Sequence, residues 1–114
     1  MKRYIRFLNL KRAVTQDQID QELDLTSQRM LELIALSEQA GHRMTVTEAM
    51  GIEIASPATI HRKLEGLIRH EYIVLEFEGN DRRTKYIALT KKSIKHFSEL
   101  GKILIKSVSV AAKN

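Results

Sequence analysis

The sequence predicts a mainly α-helical fold with one small β-hairpin, and three observations carry that prediction. Residues 57–69 place apolar side chains at helical spacing directly after a Ser-Pro start. Two β-rich runs, residues 73–77 and 85–89, flank a turn that contains Gly79. A helical pattern then returns after Thr90. The 114 residues have the length of a single domain, residues 1–114, with a core of its own.

Composition excludes several classes of protein. The chain has no cysteine, so disulfides, thiolate redox sites and thiolate zinc sites are excluded. No apolar run approaches the roughly 18 residues that indicate a membrane helix. No small-residue cleavage site follows the basic N-terminus, so we expect no signal peptide and a cytoplasmic protein that does not enter a membrane.

Charge is unevenly distributed along the chain, whose formal net charge is +5. Residues 1–12 carry five basic groups and no acid. Residues 13–56 carry two basic and eight acidic groups, whereas residues 57–114 carry twelve basic and six acidic groups. The basic charge therefore gathers in the N-terminal arm and the C-terminal half, and such a separation suits binding to a polyanion.

Local patterns predict the first helices. Residues 4–14 fit a short helix or a strand, of which we favour the helix, and residues 15–18 (Thr-Gln-Asp-Gln) resemble a capping box that opens a further turn. Residues 26–40 predict a longer helix, and Gly41 lies where a left-handed residue ends it. The broad apolar face of this helix consists of Met30, Leu31, Leu33, Ile34 and Leu36.

Capping signals predict the next two helices. Residues 45–48 (Thr-Val-Thr-Glu) form a Thr-x-x-Glu capping box for a short helix that Gly51 ends. Ser56 caps the following helix, whose first position is Pro57, where a missing N–H costs nothing. Its predicted core face is Ile60, Leu64, Leu67 and Ile68. The opposite side of the helical wheel carries Ala58, Arg62, Gly66 and Arg69.

The order of these elements defines a fold class. Two helices joined by a short turn and followed by a hairpin predict a winged helix-turn-helix, in which the hairpin is the wing. The last helix repeats apolar residues at three- and four-residue intervals, at Ile94, Phe97, Leu100, Ile103, Leu104 and Val108.

Several segments resemble the multiple-antibiotic-resistance regulator (MarR) family. They include residues 25–26 (Leu-Thr) before a helix, residues 45–52 (Thr-Val-Thr-Glu-Ala-Met-Gly-Ile) and residues 56–60 (Ser-Pro-Ala-Thr-Ile). The most specific is residues 81–90 (Asp-Arg-Arg-Thr-Lys-Tyr-Ile-Ala-Leu-Thr), which is similar to the family's Asp-Arg-Arg wing followed by Leu-Thr. Family members usually carry a glycine soon afterwards, where this chain has residues 91–93 (Lys-Lys-Ser).

The resemblance covers roughly residues 25–100 and carries implications for function. It implies a bacterial or archaeal homodimeric transcription regulator whose terminal helices form the dimer interface. Many members of the family release DNA when a small aromatic or phenolic ligand binds, so a small-molecule effector is implied as well.

The helix that starts at Pro57 would enter the major groove of duplex DNA by its N-terminal half. Thr59 can contact a phosphate or a base, while Arg62 and Lys63 can donate to guanine O6 and N7. Glu65 would repel phosphate, so contacts should concentrate before it. The alternative is a surface helix whose charges are only solvated. The predicted contacts are Ser56, Pro57, Ala58, Thr59, His61, Arg62 and Lys63.

The wing would supply a second set of contacts, Arg82, Arg83 and Lys85. Arg82 or Arg83 would reach the adjacent minor groove, and the sequence does not decide between them. Asp81 would be a poor DNA contact and would instead accept hydrogen bonds that fix the loop. The alternative is a charged tip that only keeps a strand edge soluble.

The terminal segments predict dimerisation. The last helix carries more apolar surface than a small monomer easily buries, and pairing it with residues 4–14 of a partner would cover it. Residues 1–24 and 91–114 would then be dimerisation segments around a DNA-binding lobe, residues 25–90. The alternative is packing of the last helix against residues 30–36 of its own chain.

The sequence offers no support for catalysis. The four histidines show no metal-ligand spacing, and no phosphate-binding glycine loop or nucleophile motif is present. We therefore expect no enzyme, metal or cofactor, and predict a sequence-specific double-stranded DNA-binding regulator. The rival is a winged-helix protein–protein interaction module without specific DNA binding. The basic face of the third helix, with Arg62, Lys63 and Arg69, favours DNA.

Overall fold

The computed structural model describes residues 1–6, 8–9 and 23–113 of the chain. Its elements are α1 (Leu25–Gln39), α2 (Val46–Met50), α3 (Pro57–Arg69), β1 (Ile73–Glu76), β2 (Tyr86–Leu89) and α4 (Lys91–Lys113). Residues 2–6 and 8–9 are helical as well, in agreement with the helix favoured for this segment. The capping box predicted at residues 15–18 lies outside the described residues.

Helix α1 begins at an aspartate cap and ends on a glycine. Asp24 accepts the Ser27 N–H on Oδ1 at 2.8 Å, which satisfies one free donor of the first turn. At the other end Gly41 has φ 84°, the left-handed conformation predicted for it. The N–H groups of Gly41 and His42 donate to the carbonyls of Glu38 and Ser37, each at 3.0 Å, which completes a Schellman motif.

The helix-turn-helix consists of α2 and α3, and both start as their capping signals predict. The Glu48 N–H donates to Thr45 Oγ1 at 3.1 Å, and the Thr45 N–H donates to Glu48 Oε1 at 3.2 Å. Ser56 caps α3, with Pro57 in its first turn. Helix α3 ends in a second Schellman motif, in which the Tyr72 N–H donates to the Leu67 carbonyl at 2.9 Å.

The wing is an antiparallel hairpin in which Ile73 lies opposite Leu89 and Glu76 lies opposite Tyr86. Its inner edge pairs further with the start of α2: the Val46 N–H donates to the Lys85 carbonyl at 3.0 Å, and the Ile87 N–H donates to the Met44 carbonyl at 2.8 Å. These backbone bonds attach the base of the wing directly to the helix-turn-helix. The observed architecture confirms the predicted fold class, mainly helical with a two-stranded wing.

One core holds the helices and the wing together. Its buried side chains are Leu23, Met30, Leu31, Ile34, Ala49, Ile60, Leu64, Leu67, Tyr72, Ile73 and Ile87. One residue of each predicted apolar face is exposed. Leu36 is 66% exposed because it lies about 200° around α1 from the buried Ile34. Ile68 is 39% exposed because it lies about 80° around α3 from Ile60, at the flank of the core face.

Helix α4 is fixed to the end of α3 through its first turn. Thr90 Oγ1 donates to the Glu71 carbonyl at 2.6 Å and accepts the Ser93 N–H at 3.3 Å. Ser93 is fully buried and its hydroxyl donates to the Tyr72 carbonyl at 2.6 Å. Farther along α4 the apolar residues Ile94, Ile103 and Ile105 are exposed. Among the helices that the structure describes, none is long and apolar enough to cross a membrane.

The two Schellman motifs differ in the residue that takes the left-handed conformation, and this difference predicts a stability effect. Glu71 occupies it after α3 with φ 63°, whereas Gly41 occupies it after α1. The left-handed region costs a residue with a Cβ about 1–2 kcal/mol, part of which the greater chain entropy of unfolded glycine offsets. We expect Glu71→Gly to raise the free energy of unfolding in urea by about 0.5–1 kcal/mol.

The matched control is Gly41→Ala, which should lower the same free energy by about 1 kcal/mol. No heavy atom lies within 4 Å of an added Cβ at Gly41, so strain of the backbone alone is measured there. A loss of stability in Glu71→Gly would contradict this interpretation of the turn.

Candidate nucleic-acid interface

A chain of hydrogen bonds runs along the N-terminal half of α3. Ser56 Oγ accepts the Thr59 N–H at 3.3 Å and donates to Thr59 Oγ1 at 3.0 Å. Arg62 Nη2 donates to the same Thr59 oxygen at 3.4 Å. Spacing of three residues stacks these side chains on one side of the helix, so the Arg62 guanidinium is oriented before any ligand arrives.

The other predicted residues of α3 surround this chain. Pro57, Ala58 and Arg62 are exposed. Because the Ala58 side chain is only a methyl group, the helix backbone lies close to the surface there. His61 is also exposed, and its Nδ1 lies 3.5 Å from Glu65 Oε1 one turn later. The cap and first half of α3 thus present one open surface whose positive charge is the Arg62 guanidinium; it is formed by Ser56, Pro57, Ala58, Thr59, His61 and Arg62.

Lys63 does not belong to that surface. Its ammonium donates to Oδ2 of Asp24, the cap of α1, and its side chain is 29% exposed. The helical wheel explains the difference from Arg62, because Lys63 lies about 60° from the core residue Ile60 and therefore at the side of α3 that faces α1. The prediction that Lys63 donates to guanine is not supported by this position.

The Asp24 carboxylate is ionised over a wider pH range than an ordinary aspartate. Burial raises its pKa, but the hydrogen bonds from Lys63 and from Ser27 together outweigh burial, and the net pKa is lowered. A lowered folded-state pKa stabilises the fold above the pKa of the unfolded chain, and this contribution is lost as the pH falls through the folded value.

Arg82 and Arg83, the two arginines at the tip of the wing, make different contacts. The Arg83 N–H donates to Asp81 Oδ1 at 2.9 Å, and Arg83 Nε lies 3.7 Å from the same oxygen. The Arg83 side chain is nevertheless 95% exposed. The Arg82 guanidinium instead lies 5.3 Å from the centre of the Phe77 ring, a cation–π contact that holds it on the hairpin. Asp81 accepts the loop hydrogen bond predicted for it, and Lys85, directly before β2, is exposed.

Arg43 neutralises acidic side chains at the wing, a role that the sequence did not reveal. Its guanidinium donates to Glu76 Oε2 and, at 3.4 Å, to Glu78 Oε1. It also lies 5.6 Å from the centre of the Tyr86 ring. Arg43 therefore forms ion pairs with two carboxylates, one at the end of β1 and one nearer the wing tip, which lowers their repulsion of a polyanion. Arg43 is 33 and 35 residues away from these glutamates in the sequence, so no helix or strand periodicity could have predicted the cluster.

Lys92, in the first turn of α4, is bound to the end of α3. Its Nζ donates to the His70 carbonyl at 2.9 Å and lies 4.2 Å from the centre of the Tyr72 ring. The Lys92 ammonium thus gives a hydrogen bond to a carbonyl at the C-terminal end of α3, and its charge is favourable beside the negative end of the helix dipole. Lys91 and Lys95 are exposed.

The described residues contain no cluster of three or more His, Asp or Glu side chains that could hold a metal ion. Burial lowers the pKa of His96; the Glu99 carboxylate opposes this and the Lys92 ammonium adds to it. Within the same residues, His96 Nε2 is buried and has no hydrogen-bond partner.

Comparison with known proteins agrees with this architecture. No protein-family model and no curated protein matches the chain. A solved structure of a protein described as a MarR-like transcription regulator, from Bacillus cereus ATCC 10987, is similar with a TM-score of 0.58 at 15% sequence identity. The similarity covers 94% of this chain and 75% of that one. At this identity it shows the fold, a winged helix of the MarR-like type.

Proposed function

We propose that the chain is a sequence-specific double-stranded DNA-binding transcription regulator that acts as a homodimer in the cytoplasm. The observation that carries the proposal is the Ser56–Thr59–Arg62 chain of hydrogen bonds on α3, which orients the exposed Arg62 guanidinium on the third helix of a winged fold. Arginine is the side chain most often used to read guanine O6 and N7 in the major groove. The fold of the MarR-like regulator from Bacillus cereus supports the same function.

The N-terminal half of α3 would lie in the major groove. Ser56 and Pro57 begin the helix, whose free N–H groups favour a phosphate, and Ala58 allows close approach to the bases. Thr59 and Arg62 would contact base edges, and His61 would lie beside them. Glu65 pairs with His61, which keeps its carboxylate beside a group that can carry positive charge.

The wing would enter the neighbouring minor groove through Arg83. Its side chain projects from the loop, whereas Arg82 is held over Phe77. A guanidinium inserted there is attracted most strongly where the groove is narrow and A·T-rich. Arg82 and Lys85 would then face the phosphates on either side, and the pairing of Glu76 and Glu78 with Arg43 keeps repulsion low.

The terminal helices would form the dimer. Exposed apolar side chains lie both near the N-terminus, at Tyr4, Ile5 and Leu8, and on α4, at Ile94, Ile103 and Ile105. Joining residues 1–24 and 91–114 of two copies would bury these side chains and present two DNA-binding lobes, residues 25–90, to successive turns of the duplex. A small-molecule effector would act by changing the distance between the two α3 helices.

Selection of bound fragments from genomic DNA by the purified protein tests the proposal. The selected fragments should share a pseudo-palindromic motif whose half-sites lie about 10 base pairs apart. Hydroxyl-radical footprints should show two protected regions at the same spacing. Recovery of fragments without a common motif would contradict sequence-specific binding and would support a protein-docking role instead.

Replacing Arg83 should change how strongly binding depends on the width of the minor groove at the wing. We expect Arg83→Ala to weaken binding to the selected duplex about 10-fold, and to weaken it less when the A·T flank at the wing is changed to G·C. The measurement is a titration of both duplexes by fluorescence anisotropy. Arg82→Ala is the matched control, with a smaller and flank-independent loss. An equal loss on both flanks in Arg83→Ala would contradict insertion.

A further inference from the structure

Lys63 lies on the recognition helix without taking part in its exposed basic surface. Arg62 and Lys63 are adjacent in sequence, but a rotation of about 100° per residue points them to different sides of α3. Helices α1 and α3 pack against each other, and the ammonium of Lys63 meets Asp24 at the start of α1, 39 residues earlier in the chain.

Asp24 uses both oxygens of its carboxylate. Oδ1 accepts the Ser27 N–H and caps α1, while Oδ2 accepts the Lys63 ammonium. The capping bond fixes the position of the carboxylate, so Lys63 meets an anion that is already in place rather than a mobile side chain. A phosphate of DNA would have to compete with this carboxylate for the Lys63 ammonium.

We propose that Asp24 is a positioning residue that withholds Lys63 from the DNA backbone, so that α3 binds DNA with fewer cations than its sequence contains. The proposal rests on the DNA-binding function proposed above. A lysine ammonium that reaches a phosphate adds affinity for every sequence, because the contact carries no base information. The Asp24–Lys63 pair therefore limits sequence-independent binding while leaving Arg62 available to the bases.

Asp24→Asn tests this directly, because asparagine is as good a helix cap as aspartate but carries no charge. Releasing Lys63 should steepen the slope of log affinity against log salt by about 0.9 and tighten binding to a scrambled duplex roughly fivefold to tenfold at 0.1 M salt. Lys63→Met in the otherwise unchanged chain should leave the slope as it is. Equilibrium unfolding in urea confirms that each variant is folded.

The double variant Asp24→Asn with Lys63→Met separates two explanations. If Asp24 acts by holding Lys63, the double variant has the slope of the unchanged chain. If the double variant keeps the steeper slope, Asp24 acts only through its own charge and the proposal is overturned. A shallower slope in Lys63→Met alone would overturn it as well, since Lys63 would then contact phosphate already. If the unchanged chain binds no duplex, the proposed function fails and this inference fails with it.

Discussion

Arg62→Ala should lower the affinity for the selected duplex about 10- to 100-fold, equivalent to roughly 1–3 kcal/mol at one base pair. The Arg62 guanidinium is held by Thr59 on the exposed side of α3, so it can donate two parallel hydrogen bonds to one guanine. Binding to a scrambled duplex should change much less, because it depends on phosphate contacts. Fluorescence anisotropy at fixed salt concentration measures both affinities.

Two controls identify the contact. Arg62→Lys keeps the charge but cannot donate the two parallel hydrogen bonds. Compared with Arg62→Ala, it should regain the salt dependence of the unchanged protein but not its preference for the selected duplex over the scrambled one. Replacing the contacted guanine with 7-deazaguanine should weaken the unchanged protein and leave Arg62→Ala almost unaffected. An effect of the modified base that is equal in both proteins would show that Arg62 does not bind guanine N7.

Ile60→Ala should lower the free energy of unfolding by about 2–5 kcal/mol. Ile60 is fully buried in the core that joins α3 to α1 and β1, and removal of its side chain leaves a cavity that close-packed neighbours fill only in part. The measurement is equilibrium unfolding in urea followed by circular dichroism. DNA binding should be lost when the variant is largely unfolded at the assay temperature.

Ile68→Ala is the matched control, two turns farther along the same helix. The helical spacing of the sequence assigned both isoleucines to the core, whereas Ile68 is 39% exposed at its flank. We expect a loss of less than about 1 kcal/mol for Ile68→Ala, because its apolar surface is already partly hydrated. Equal losses in the two variants would contradict the orientation of α3.

Signals within a few residues of one another predicted much of the fold. The capping box at Thr45, the Ser-Pro start of α3 and the left-handed Gly41 all lie where the sequence indicates, because each depends on hydrogen bonds within one helical turn. The hairpin strands differ by one residue each from the predicted runs, since strand ends are set by pairing rather than by composition.

Contacts between distant segments could not be predicted in this way. The Asp24–Lys63 pair, the Arg43 cluster and the backbone bonds of residues 44 and 46 to residues 87 and 85 join positions 33 to 43 residues apart. Neither periodicity nor a capping pattern predicts such contacts. The predicted DNA contacts also grouped Lys63 with Arg62, because both are basic and adjacent, although the helical wheel places them about 100° apart. Only the packing of α1 on α3 decides which cation is engaged within the protein.

The different contacts of Arg82 and Arg83 could not be predicted from the sequence either. The sequence places both at the wing tip, and their roles diverge because Phe77 offers a ring to Arg82 while Asp81 binds the backbone of Arg83.

Competition between the selected duplex and a scrambled duplex of equal length, at 0.15 M salt, tests the central claim most directly. A sequence-specific regulator should bind the selected duplex at least about 10³-fold more tightly, and log affinity for both should fall linearly with log salt. Equal affinity for the two duplexes, or affinity that does not change with salt, would contradict the proposal that α3 and the wing read DNA.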